Sequence, residues 1–326
     1  MISQDDWDET FSGFNIYDCA IHYKGAYAFL CIEQVDGIVE WEPNKLIVSI
    51  FFDDDVIELA EHEGFAFPTL AATGMPVAQA IMVSASGEVA VLDSDQDALE
   101  ANIPFGTPES ALYRSADSLA LIDGHLYATG NWRGVARRLG KGCWESIAGR
   151  DTLPLPDADA NGFNRGGFRA IDGFNARDIY CGGGKGDVWR FDGTRWHQCA
   201  LRVDLSVVSI CCAGDGFVYV GMQSGSVMRG REDTWEMIYT GTLALPFKDL
   251  VWFAGKVWCT SDHGLWVIER GILTAADVAE FVRAASGNLA VGDGVMLLAG
   301  MYGAALFDGV TWNALRPAGA DPLGHG

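Results

Sequence analysis

Three stretches decide the fold: DIYCGGGKGDVWRFDGTRW (178–196), GFVYVGMQSGSVMRGREDTW (216–235) and GVMLLAGMYGAALFDGVTW (294–312). Each holds an apolar run centred on a large residue, a glycine six places on, a second run and a terminal tryptophan. With that centre as a marker, the unit recurs at Tyr27, Met82, Tyr127, Tyr180, Tyr219, Trp258 and Leu297. The last four markers are 39 residues apart, and the earlier spacings of 55, 45 and 53 leave room for inserted loops. Gly186, Gly225, Gly264 and Gly303 lie six residues past their markers, Gly134 seven and Gly87 five. A tight hairpin needs positive φ at such a place, which glycine adopts without steric cost. Asp123-Gly124, Asp215-Gly216 and Asp293-Gly294 mark a turn ahead of the marker. Asp192-Gly193 and Asp308-Gly309 mark another, ahead of Trp196 and Trp312, while Trp144 and Trp235 hold the same terminal place.

Four short strands in about 40 residues is the pattern of a propeller blade, whose sheet buries its faces by stacking on neighbouring blades around an axis. The sequence predicts an all-β, seven-bladed β-propeller of four-stranded antiparallel blades, a single domain over 1–326. The blades fall at roughly 14–52, 77–105, 115–150, 167–203, 205–242, 247–285 and 287–316. Thr274 and Asp277 are spaced as a capping box ahead of ADVAEFVRAA, which predicts one short helix at 275–285. The stretch IYCGGGKGDVWRFDGTRW resembles a kelch repeat in its strand, glycine doublet, aromatic and tryptophan, and Gly182-Gly183 is the one such doublet among the blades. The chain as a whole resembles seven-bladed repeat propellers. That resemblance implies an interaction platform, since such propellers are mostly binding proteins and in a minority enzymes.

With 49% hydrophobic and 20% charged residues over 326, the composition excludes a disordered chain. No apolar run approaches the roughly 18 to 20 residues of a membrane helix. The start, MISQDDWDET, has neither the basic nor the apolar region of a secretion signal, so a cytoplasmic protein is expected. Eight cysteines (Cys19, Cys31, Cys143, Cys181, Cys199, Cys211, Cys212, Cys259) lie mostly in apolar runs and form no CxxC, so reduced, buried thiols are expected rather than disulfides or zinc.

The formal charge is -22, and it is unevenly placed. Residues 1–110 hold 21 acidic side chains against Lys24 and Lys45, whereas 111–326 hold 23 acids and 20 bases. The densest run is DDDVIELAEHE (53–63), read as an enlarged connection between the first two blades. An acidic surface keeps a protein soluble, and it also steers a basic partner. Connections between blades and the middle hairpins share one propeller face. This expectation places Asp53, Asp54, Asp55, Glu58, Glu61 and Glu63 on one rim with Trp132, Arg133, Lys185, Gln223, His263 and Tyr302. An exposed aromatic and arginine set in a charged surround is how interface hot spots are composed. Nucleic acid is disfavoured as a partner, because phosphate contacts need clustered lysine and arginine.

Catalytic patterns are scarce. GGGKG (182–186) leads into a strand and lacks the helix start of a phosphate loop, and neither GxSxG nor HExxH occurs. DADANG (157–162) has the first half of a calcium loop, making Asp157, Asp159 and Asn161 candidate ligands, although Arg165 and Phe168 stand where later ligands belong. Apart from that Ca2+ candidate, no cofactor is expected.

The leading expectation is a non-enzymatic, protein-binding propeller whose acidic face captures a basic protein, in its sharpest form an immunity protein neutralising a toxin domain. The alternatives are a general scaffold subunit of a complex, or a propeller hydrolase or lyase acting on a small molecule or glycan.

Overall fold

The computed structural model describes residues 3–35, 43–74, 77–93, 96–107, 110–157, 166–241 and 245–315. Seven four-stranded antiparallel sheets follow one another along the chain, each in simple up-and-down order. The expected seven-bladed propeller is the fold. Blades 1 to 7 span 14–62, 69–100, 118–146, 168–199, 207–239, 249–275 and 288–314.

All seven markers lie on the second strand of their blades and are buried. The glycines past them form the hairpins between second and third strands, and the Asp-Gly pairs form the other turns. Seven hydrophobic clusters fill the seven seams between adjacent blades. The terminal tryptophans serve these seams: Trp144 packs between blades 2 and 3, Trp196 between 3 and 4, Trp235 between 4 and 5, and Trp312 between 6 and 7. Every blade is contiguous in sequence, so no strand is exchanged to close the ring. The closing seam holds by its apolar cluster, by Asn288 Nδ2 donating to the Tyr17 carbonyl at 2.8 Å, and by Lys24 N–H donating to Asp293 Oδ2 at 2.9 Å.

Two helices accompany the blades. Helix α1, Gln4–Phe11, buries Trp7 in the seam between blades 7 and 1, beside Phe11 and Phe29. Helix α2, Glu280–Ala284, follows the outer strand of blade 6 and is shorter than the expected 275–285. Thr274 does not cap it: Thr274 belongs to the strand Ile272–Ala275, and Ala279 stands at the helix start with no side-chain cap.

The first blade differs from expectation. Its outer strand runs Val56–His62, past the expected end at 52, and blade 2 opens at Thr69 rather than 77. The acidic run 53–63 is therefore a tight turn followed by a strand, and the connection between the blades is only 63–68. All seven of its residues pair with Lys45–Phe51, while Ile57 and Ala60 pack into the two seams beside blade 1.

Candidate partner-binding surface

The order of strands fixes which residues can meet. The upper face of the ring carries the hairpins between second and third strands together with the connections between blades. The lower face carries the other two turns of each blade. Trp132 and Arg133, His263 and Tyr302 occupy second-to-third hairpins of blades 3, 6 and 7, all on the upper face. Asp53, Asp54 and Asp55 form the third-to-fourth turn of blade 1, on the lower face. The rim expected to unite them does not exist, because 53–55 turns a hairpin instead of linking blades. From that turn the acids climb the outer edge of blade 1: Glu58 half-buried on the strand, Glu61 exposed on it, and Glu63 exposed at its upper end. The six acidic residues thus form one line from lower to upper face, and of them only Glu63 reaches the face that carries the other four.

Those four differ in availability. His263 and Tyr302 are exposed. Trp132 is half-buried, its ring 4.9 Å from Tyr113 and 5.4 Å below the Arg114 guanidinium. Arg133 is committed to the fold. Its guanidinium makes a forked pair with Asp187 of blade 4 at 2.7 and 2.8 Å, donates to the Pro154 carbonyl at 2.8 Å and lies over Trp189. Only 11% of its side chain is exposed.

Outside the acidic line, carboxylates of the outer strands have arginine partners. Glu145 pairs with Arg137, Glu236 with Arg229, and Glu100 with Arg138. Among the described residues, Asp53, Asp54, Glu61 and Glu63 make no ion pair, and Glu61 accepts instead from Asn44 Nδ2 at 2.8 Å. Lys45, one of two bases in the first 110 residues, is buried and turned inward, donating to the Pro43 and Gly64 carbonyls. His62 Nε2 lies 3.3 Å from Asp97 Oδ1 on the outer strand of blade 2.

A second constellation escaped sequence reasoning. A central cavity of about 1060 Å3 is lined by Asp18, Asp172 and Asp249 of the inner strands and by Asp117 just ahead of another. Burial pushes Asp18 up to about 7, with Asp249 adding repulsion, and burial raises Asp172 and Asp249 to about 6. Perturbed carboxylates in a cavity invite a catalytic reading, but one oxygen of each of these three is already engaged. Asp18 Oδ2 accepts from Leu70 N–H at 2.9 Å, Asp172 Oδ2 from Cys212 N–H at 2.7 Å and Asp249 Oδ2 from Leu289 N–H at 2.9 Å, each on the next blade. They are stitches between inner strands. The signal was present as an aspartate 8 to 10 residues before the markers Tyr27, Tyr127, Tyr180 and Trp258.

Of the candidate calcium ligands, Asp157 is exposed, while Asp159 and Asn161 lie outside the described residues. Among the described residues no group of three histidine, cysteine or carboxylate side chains could hold a metal ion. All eight cysteines are unbridged, and Cys143 alone is exposed.

No family model matches the chain. Solved structures of similar architecture include the extracellular domain of a putative hybrid two-component system from B. thetaiotaomicron, with TM-score 0.60 at 14% identity, covering 90% of this chain and 38% of that one. Another is YCF48 bound to D1 peptide, with TM-score 0.58 at 12% identity, covering 95% of this chain and 94% of that one. These likenesses concern the fold. In sequence, the immune protein Tsi7 of Pseudomonas aeruginosa is 33% identical over 240 residues, 74% of this chain and 76% of that protein. An identity of that level over most of both chains shows kinship, and the chain belongs to the family of the immune protein Tsi7.

Proposed function

We propose that this propeller is an immunity protein that binds a toxin and blocks it, with no catalysis of its own. The kinship with Tsi7 carries the reading. The charge distribution supports its finer form, in which the toxin presents a basic surface to the acidic outer edge of blade 1. Carboxylates without internal counter-ions are desolvated at least cost when a partner supplies the cations, and opposite potentials speed encounter. Blockade then follows from steric cover of the toxin's working surface by the blade 1 edge and the loops at its upper end.

The test is co-expression in a bacterial host with a candidate toxin sought among the products of neighbouring genes, followed by mixing of the purified proteins. Survival with the chain present, death without it and a stoichiometric complex are expected. A toxin that kills equally in both conditions overturns the reading.

A further inference from the structure

The geometry points to the free edge of Val56–His62 as a docking edge, on which an extended, lysine- or arginine-bearing segment of the toxin adds a fifth strand to blade 1. The identity of the occupant rests on the immunity reading above; the docking edge itself rests on four observations.

At seven residues this is the longest outer strand of the ring, against three to six in the other blades. It pairs with Lys45–Phe51 without any register shift, so it offers a regular edge about 23 Å long. Among the described residues no backbone hydrogen bond joins it to another element on its open side. Such an edge is a template for a further strand.

The edge also carries apolar footing. Leu59 is 55% and Val56 40% exposed, and they fall on opposite sides of the strand, so a paired segment would find a contact on each side. The charges then choose the occupant. Asp53 and Asp54 precede the strand, Glu61 lies on it and Glu63 follows it, none of them paired with a lysine or arginine among the described residues. On other outer strands Glu145 and Glu236 stand opposite arginines of the third strand, whereas here the third strand sets Leu46 opposite Glu61. A second copy of this chain is a poor occupant, since its own acids would stand across from these. A basic extended segment meets charge complementarity along its whole length.

The experiment uses the full chain and amide hydrogen exchange, with a capped peptide of alternating lysine and valine as probe. Amides of residues 56–62 should exchange about tenfold more slowly with the peptide, with no such change on other outer strands. The same peptide N-methylated throughout keeps its charge, lacks backbone donors and should give no protection. The exposed double variant L59K/E61K should lose the effect and fail to neutralise the neighbouring-gene toxin. Equal protection by the N-methylated peptide, protection on another blade, or full neutralisation by L59K/E61K overturns the docking edge. If the unmodified chain fails to neutralise the toxin, the immunity reading falls, while the peptide arm still decides the edge.

Discussion

Arg133 is held from three directions: a fork to Asp187, a carbonyl at Pro154 and the face of Trp189. With so little of its side chain in water, its worth is structural, since it fastens the hairpin of blade 3 to that of blade 4. Arg133→Ala would leave the Asp187 carboxylate with the Trp189 indole as its remaining donor, at 2.8 Å. Removing one partner of a buried pair strands the other, so the loss should be about 3 kcal/mol in urea denaturation. Arg133→Lys restores charge without the fork and should recover only part of it. A loss below about 0.5 kcal/mol, the level of a surface substitution, would show that the pair does not hold the hairpins. Asp249 makes a different prediction. Its folded-state value, about 6, lies above the ordinary 3.8, so the folded protein holds this proton more tightly than the unfolded chain does. The contribution is fully present below about pH 4 and is lost as pH rises through about 6. Asp249→Asn can still accept from Leu289 N–H but cannot ionise. Its thermal midpoint should therefore fall less between about pH 5 and pH 7.5 than that of the unsubstituted protein; superimposable pH profiles would refute the argument.

Among the elements, α1 is the one whose contribution is easiest to isolate. Ser3 Oγ accepts from Asp6 N–H at 3.1 Å while Asp6 Oδ2 accepts from Ser3 N–H at 3.0 Å, a reciprocal cap at the helix start. Trp7 is only 4% exposed, with its ring 4.4 Å from Phe11 and 6.2 Å from Phe29. Trp7→Ala should cost about 3 to 4 kcal/mol by the cavity it leaves, and Ser3→Ala about 1 kcal/mol by the lost cap. If Trp7→Ala left the urea midpoint unchanged, α1 would be frayed from the ring rather than part of its closing seam. This helix was not legible beforehand because an eight-residue element with two aromatic anchors shows too little periodicity among its acids. The blades were legible for the opposite reason: positive-φ turns such as Asp215-Gly216 and Asp293-Gly294 recur at fixed distances from a buried second strand. The outer strand of blade 1 was missed because Asp53–Asp55 and the glutamates after them look like a solvated loop. A strand with one open edge can carry exposed acids at the positions its seam does not bury. That single misreading moved Asp53, Asp54 and Asp55 to the opposite face of the ring and set Glu58 and Glu61 on a strand instead of a loop.

For the whole molecule, the relevant quantity is where the charge sits on the ring. The first 110 residues, which build blades 1 and 2, hold 21 acids and two bases, so the field is that of an acidic wedge, not an acidic face. In the proposed binding mode, such a wedge steers a basic partner toward the side of the ring, where the edge Val56–His62 lies. Charges beyond about 8 to 10 Å are screened at physiological salt, so steering should be strongest at low ionic strength. Replacing Asp53, Asp54 and Asp55 by asparagine removes three exposed carboxylates at one end of the edge. Asparagine also tolerates the φ of 57° at position 55, so the turn should be preserved. With the neighbouring-gene toxin, the triple variant should associate about three- to tenfold more slowly at low salt, with a shallower dependence of rate on salt and a nearly unchanged dissociation rate. Asp233→Asn, an exposed acid in blade 5, serves as control and should leave the rate unaltered. Unchanged association kinetics in the triple variant would remove the acidic wedge from the account of binding, and an equal effect from Asp233→Asn would replace it with net charge alone.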